Sequence, residues 1–597
     1  MPILSNNVPD TRFGGMAGHD VTPTNPDAVK AFPAIDLRPF QQRWMMMRLE
    51  AMSKWYQRWR DLSRFINPKR GHFEGFVPNY NAQYDYRLIM DGDPADAART
   101  MATGLSSGLT SPSRPWFKLT LQDPAIETTD AVRVWLDDVQ KLLMGIFEKS
   151  NFYEVCQQTY EELGLFGTGC FGIYEDSKSV IRCRSYTIGE YYLSTDAAGR
   201  VNGFARQFWM TVDQVVNEYG WNNCSDLVKN AYKAGARDTY VLIYCLVEEN
   251  STQIEGQADF RGKKYRSVYW EAQAVSNRAL RISGFNEFPI MAPRWEMTTT
   301  ADVYGVGPGW YALGDIKSLY RMEKDSLLGI NRMADPPVQV DASVEGNVNL
   351  LPGGITRSSG TTPNAGVRAA YEVNINITAL ETKIQNKKEQ IRARFYADLF
   401  KMLIQTPGGP EKTAEEIRQK ESEKLLLLGP VITRMQTDMH GPAIERTFAI
   451  ALRHGLVPPA PPEIEGMPLK VEYVSLLAQA QRSVGAATIE TEARFVGAVS
   501  QLFPEAVDNY DVDEAIREHA ALVGSPQRTI RSKEQVAEIR AQRAQQNATL
   551  QQLAAANQAA TAAKTLSQAK LGSSNALEQV AGIKPGLAGA PGPEEVA

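Results

Sequence analysis

Paired cysteines are missing from this chain. Its 597 residues hold five, Cys156, Cys170, Cys183, Cys224 and Cys245, an odd number with no Cys-x-x-Cys spacing. Neither a disulfide framework nor a cysteine-built zinc site is expected, and the usage fits a reducing compartment. Histidine is as scarce: of His19, His72, His440, His454 and His519, the closest pair is His440 and His454. No tight ligand spacing results, so no metal site and no cofactor are expected. An excess of positive charge is lacking too, since 64 Lys and Arg stand against 69 Asp and Glu for a net charge of −5. That excludes binding to nucleic acid by bulk positive charge and confines any polyanion contact to local cations.

Nor is there a run of about 20 apolar residues, the length a lipid-spanning helix needs. The long uncharged stretch Ala544–Ala563 is broken by seven Gln and Asn residues, so no membrane partner is expected. Met1–Asp20 has no basic start followed by an apolar block, and no secretory signal is expected. GxxxxGK[ST], HExxH and Gly-x-Ser-x-Gly are all absent. With no P-loop, a motor of that class is disfavoured, and no catalytic residues are assigned.

What is present is mostly helical. Residues 1–40 carry six prolines and little periodicity and predict an arm without a fold of its own. From Gln41 the spacing of Met45, Leu49, Met52, Tyr56, Trp59, Leu62 and Ile66 predicts a helix ending at Asn67-Pro68. Eight Lys and Arg against two acids between Gln41 and Arg70 make its other faces basic, which suits either a solvated face or an acidic partner. Residues 120 to about 300 alternate helices (Thr129–Phe147, Phe152–Leu165) with β-like runs (Phe171–Tyr174, Thr239–Val247), an α+β body.

A helix is predicted from Trp310 to about Met333, stopped by Asp335-Pro336-Pro337. A Gly/Ser/Thr-rich β module or long hairpin follows over 338–378. The next helix, Leu380–Ile404, has an apolar stripe of Leu380, Ile384, Ile391, Phe395, Leu399 and Leu403. Its opposite face, Lys383, Asn386, Gln390, Ala393, Ala397 and Lys401, is small and weakly charged, which suits packing beside a copy of itself or lining a lumen. Thr413-Ala-Glu-Glu416 has capping-box spacing. Breaks are expected at Gly429-Pro430 and Gly441-Pro442, and five prolines between Pro458 and Pro468 mark a boundary. Residues 471–523 read as helix, 533–570 as an Ala/Gln-rich helix with a poor core face, and 571–597 as a Gly/Pro-rich tail.

Gly167-Thr-Gly169-Cys-Phe-Gly172 matches the dinucleotide fingerprint GxGxxG. Its polarity is reversed, because it follows a helical pattern and leads into a β-like run, whereas a phosphate cradle needs strand, glycines, then helix. A close-packed helix-to-strand turn is the expectation.

Several runs carry a resemblance. Arg43–Ile66 with its exit Asn67-Pro-Lys-Arg-Gly71 comes first, then Gly104-Leu-Ser-Ser-Gly-Leu-Thr-Ser-Pro-Ser-Arg-Pro-Trp-Phe117, Phe166-Gly-Thr-Gly169 and Tyr304-Gly-Val-Gly-Pro-Gly309. Ala312-Leu-Gly-Asp-Ile316, Asp335-Pro-Pro337, Thr413-Ala-Glu-Glu416, Leu428-Gly-Pro430, Gly441-Pro442 and His454-Gly-Leu-Val-Pro458 continue the order. Over roughly 41–480 the chain resembles the portal, or head-to-tail connector, proteins of short-tailed bacteriophages.

The resemblance implies a non-catalytic ring, usually of twelve subunits, around a DNA channel at one capsid vertex. The fold would be mainly α with an α+β body. Its parts would be a flexible arm (1–40), a wing or body (41–309), a first stem helix (310–334), a small β clip (335–378) and a second stem helix (379–404). A tunnel loop (405–412), a tunnel helix with the wing/crown connection (413–465), a helical crown (466–532), the Ala/Gln-rich helix (533–570) and a flexible tail (571–597) would complete it.

Channel and tunnel-loop candidates are Lys383, Lys401, Gln405, Thr406 and Lys412. Clip candidates for motor or tail docking are Asp341, Glu345, Asn347 and Arg357. Partners implied are copies of the chain, double-stranded DNA, a terminase packaging ATPase, tail or adaptor proteins, and capsid and scaffolding proteins. The place would be the virion vertex, after assembly in the host cytoplasm. Sliding DNA needs a sparsely basic wall, because many Lys/Arg contacts would hold it fast. Two other readings stand beside this one: a different tail or ejected virion component, and a metal-dependent nucleic-acid hydrolase with carboxylates assembled in space.

Overall fold

A computed structural model describes residues 32, 35–73, 86–121, 130–257, 259–273, 278–351, 353–361, 366–371, 376–404, 428–464, 466–474, 476–500, 503–523, 531 and 533–568. The chain divides into two units, Met1–Ser525 and Pro526–Ala597. Nearly all of the expected arm, the tunnel loop 405–412, the Thr413–Glu416 helix start and the tail 571–597 lie outside the described residues.

The apolar spacing after Gln41 folds as two helices where the sequence predicts one, α1 (Arg38–Lys54) and α2 (Tyr56–Phe65). The ladder breaks at Trp55, whose ring is drawn against Trp59, Tyr304 and Trp310 at centroid distances of 6.1, 5.8 and 5.4 Å. Trp44, Met47, Trp59 and Leu62 are buried, while Met45 and Leu49, read as part of the apolar stripe, face solvent. Helices α3 (Asp93–Leu109), α4 (Asp130–Lys149) and α5 (Phe152–Phe166) supply the helical side of the core.

Between α3 and α4 lies strand β1 (Phe117–Leu121). The β side begins with β2 (Cys170–Asp176) and β3 (Val180–Tyr186). An antiparallel meander follows: β4 (Tyr191–Thr195), β5 (Val201–Thr211), helices α6 (Val212–Tyr219) and α7 (Asp226–Lys233), then β6 (Tyr240–Glu249), β7 (Tyr265–Glu271) and β8 (Arg281–Phe285). Strand β9 (Ile290–Met291) then returns to pair with β2 in the smaller sheet of order β3-β2-β9. The meander's strands pair in sequence order in one five-stranded sheet.

Two glycine-rich runs explain each other. Gly167 ends α5 with φ +83, the left-handed cap that favours glycine. A Cβ there would lie 2.6 Å from the Gly307 nitrogen, and one on Gly307 would lie 2.7 Å from the Leu163 carbonyl oxygen. Gly167–Gly169 and Gly305–Gly309 therefore pack backbone to backbone. Thr168 Oγ1 accepts from the Gly305 amide at 2.8 Å, and the Gly169 amide donates to the Pro293 carbonyl at 3.0 Å. With its backbone so occupied, the GxGxxG match is a packing device between α5 and the long helix α8 (Pro308–Ala334).

Beyond α8 come two two-stranded ladders: β10 (Val338–Val340) with β13 (Val367–Ala369), and between them β11 (Val344–Glu345) with β12 (Arg357–Ser358). The helix predicted over Leu380–Ile404 is also two, α9 (Ile377–Arg394) and α10 (Ala397–Ile404). Tyr396 adopts φ +55, which a helix cannot continue through. The break resets the phase, so Ala397, expected on the exposed face, is buried.

Helices α11 (Gly429–Met435) and α12 (Gly441–Arg453) are joined through a π turn at Gln436–His440, without a break at Gly441-Pro442. Where helix was expected from residue 471, Leu469–Tyr473 forms β14 and pairs with β1, Phe117 opposite Tyr473. Helices α13 (Leu476–Ser500) and α14 (Val512–Val523) follow. The second unit contributes α15 (Lys533–Gln568), whose described side chains are exposed apart from half-buried Val536 and Ile539.

Candidate functional site

Helix α8 leads two lives. Its first half carries Ala312, Leu313, Ile316, Leu319 and Tyr320 into the core, and the Tyr320 hydroxyl donates to the Phe65 carbonyl at 2.8 Å. From Arg321 to Ala334 only Gly329 is buried. Leu327 is 57% exposed and Leu328 45%, and Ile330 and Met333 are open as well. At 27 residues and about 1.5 Å per residue the helix is about 40 Å long, so its outer half stands clear of the body.

Helix α9 returns beside it, burying Ile384 and Ile391 and carrying a set of ion pairs. Asp315 of α8 accepts from Lys387 Nζ at 2.9 Å and from Arg394 Nε at 2.7 Å. Lys388 reaches Asp91 at 2.6 Å and Glu323 at 3.4 Å. Arg392 makes a two-oxygen contact with Asp93, at the first turn of α3, through Nε at 3.0 and 3.1 Å. Partial burial works against ionisation of Asp315 and Asp91, yet the ammonium and guanidinium donors outweigh it and hold both carboxyls below their ordinary range.

These pairs separate the cations of α9 and α10 into two kinds. Lys387, Lys388, Arg392 and Arg394 are engaged, whereas Lys383 and Lys401 are exposed and meet no acid among the described residues. Lys383 and Lys401 do not share one straight helix face, because the turn at Tyr396 lies between them. Gln405, Thr406 and Lys412 lie outside the described residues. Sequence reading missed Asp91, Asp93, Asp315 and Glu323, the acids that fix the returning helix. Asp315 stands inside the quoted run Ala312–Ile316, but its partners are about 75 residues away in sequence.

The ladders between α8 and α9 have no buried residue among those described. Asp341, Asn347 and Arg357 are exposed, and Arg357 stands opposite Glu345 in the β11–β12 register. Asp341 accepts from Ser343 Oγ at 2.6 Å, which holds its carboxyl below the ordinary range. Leu350, Leu351 and Ile355 are exposed as well.

Among the described residues, no group of three or more His, Cys, Asp or Glu is placed to hold a metal ion, and no helix is long and apolar enough to cross a membrane. The family model "Bacteriophage head to tail connecting protein" matches residues 40–530. The chain belongs to that family. It is 37% identical over 540 residues to the probable portal protein of Bordetella phage BPP-1, covering 90% of this chain and 96% of the relative. It is 38% identical over 535 residues to the portal protein of Salmonella phage epsilon15, covering 89% and 95%. A chain from the neck of an empty GTA particle, computed with C6 symmetry, superposes with a TM-score of 0.35 at 12% identity, covering 73% of this chain and 94% of that one.

Membership makes this a structural connector and not an enzyme. It is a bacteriophage portal protein, a virion component at the head–tail junction that works as a homo-oligomeric ring.

Proposed function

We propose that α8, α9 and α10 form the stem wall of a ring of twelve copies, with the β10–β13 module as its clip and the region 466–532 as a crown. The reading rests on one observation: the outer half of α8 and the clip expose Leu327, Leu328, Ile330, Met333, Val338 and Val340 in a continuous stretch of chain. A monomer in water would not keep that surface bare, and a neighbouring copy presenting the same elements covers it.

Double-stranded DNA then passes along the lumen during packaging and ejection. Each copy brings a net charge of −5, so the ring repels the duplex in the background, and Lys383 and Lys401 add sparse attractive collars. The exposed clip residues Asp341, Asn347 and Arg357 receive the terminase ATPase during packaging and tail or adaptor proteins afterwards. Capsid and scaffolding proteins contact the body, and the ring is assembled in the host cytoplasm before it enters the virion vertex.

Electron microscopy of purified protein tests this. The expected class averages show a closed ring with an axial hole wide enough for a duplex, and Leu327→Glu with Ile330→Glu shifts light scattering to monomer. A compact particle without a hole, or a ring indifferent to the double substitution, overturns the assignment of the stem.

A further inference from the structure

A cavity of about 390 Å³ opens between the β2–β3 hairpin and strands β5–β7, away from the stem. A second hollow of about 380 Å³ adjoins it, and Arg184, Arg206 and Phe208 line both. Arg206 is 7% exposed, and its guanidinium lies 4.1 Å from the Phe208 ring centroid and 4.7 Å from that of Tyr186. Its charge is already matched, since Nε donates to Glu190 Oε1 at 2.6 Å.

Arg184 is different. Its guanidinium stands 5.8 Å from the same Phe208 ring, and among the described residues no carboxylate lies within ion-pair reach of it. The cavity's own acid, Glu218, is taken by Arg281 at 2.9 Å, and the remaining cation, Arg182, sits exposed on the rim. Uncompensated positive charge therefore meets a wall built from Tyr186, Phe204, Tyr219 and Tyr269. A guanidinium fork suits a phosphate, aromatic walls suit a planar ring, and the volume falls in the range of about 300–1,000 Å³ usual for small-ligand sites.

We propose that this cavity binds a nucleoside monophosphate, with the phosphate on Arg184 and the base against the aromatic wall. Calorimetric titration of the full-length protein with adenosine 5′-monophosphate tests it, with adenosine and inorganic phosphate as separate probes. Saturable binding of the monophosphate is expected, weaker by about tenfold or more for either fragment and in Arg184→Gln. Arg184→Lys should fall between, because it keeps the charge and loses the fork. Arg184 is exposed, so both variants should melt like the parent. Absence of saturable binding, equal binding of inorganic phosphate, or binding unchanged in Arg184→Gln each overturns the proposal.

Discussion

The ring of Phe400 lies where a side chain on Gly104 would have to be. A Cβ built on Gly104 of α3 falls well inside contact distance of the Phe400 Cβ, Cγ and Cδ1 atoms of α10, and Phe400 is fully buried. The glycine lets α3 and α10 approach closely, and so fixes where the chain leaves toward residue 405. Gly104→Ala should cost about 1–3 kcal/mol or more in a denaturant melt, because a packed core does not yield to an added methyl group. Shortening the partner should not help, since the Phe400 Cβ itself is in the way. Recovery of stability in Gly104→Ala with Phe400→Ala would refute this account.

How far the chain could be read from its sequence depends on where each partner sits. The Gly167 run was legible as a helix-to-strand turn because helix, glycine and strand are adjacent. Its real counterpart, Gly305–Gly309, is distant and visible only in the fold. The break at Tyr396 was not legible, because Arg394-Phe-Tyr396 carries neither glycine nor proline, and packing of Phe395, Ala397 and Phe400 decides the turn. Strand β14 was read as helix for a similar reason: its five residues owe their conformation to β1, about 350 residues earlier. The candidate cations Lys383 and Lys401 were legible as exposed, but only the positions of Asp91, Asp93 and Asp315 show why their neighbours on α9 are engaged.

Asp315 should make the pairing of α8 with α9 acid-sensitive. Its folded carboxyl is held below the ordinary value, so its contribution is fully present above about pH 4 and is lost as pH falls through the lowered value. Asp315→Asn should lower the melting temperature at pH 7 and flatten its decline between pH 5 and 3. Because Arg394 is half exposed, a loss of only about 1 kcal/mol is expected. A decline as steep in the variant as in the parent would exclude Asp315 from the acid response.

Glu162 should act in the opposite direction. Burial pushes its carboxyl up to about 7, against the pull of Arg70 and the hydrogen bonds from Thr187 and Ile188. A raised carboxyl contributes most below its unfolded value near 4.5, and that contribution disappears as pH rises through about 7. Glu162→Gln should therefore change little at pH 5 and gain up to about 3 kcal/mol at pH 8, while Arg70 keeps Glu161 at 2.6 Å. Urea unfolding at the two pH values measures this, and an equal loss at both would reject it.

The five cysteines should be silent in the folded protein. All are buried and unpaired, and burial pushes Cys183 and Cys224 up to about 12 and Cys245 to about 11. The thiolate, which is the reactive form, is scarce at pH 8. A chromogenic disulfide reagent should titrate no thiol in native protein and five in denaturant. Rapid native reaction of even one would mean that its part of the core opens.

Lys383 and Lys401 should be dispensable for folding and felt only by a polyanion. Neither pairs with an acid among the described residues, so replacing both by Gln should leave the melting temperature and ring formation unchanged, within about 0.5 kcal/mol. Lys388→Gln is the contrast, because it strands Asp91 and Glu323 and should lower the melt while leaving Lys383 and Lys401 in place. If the two free lysines face the duplex, the plot of log affinity for short DNA against log salt should lose about 0.9 in slope for each contact removed. An unchanged slope in the double variant would place both lysines away from DNA and leave the collar to residues beyond Ile404.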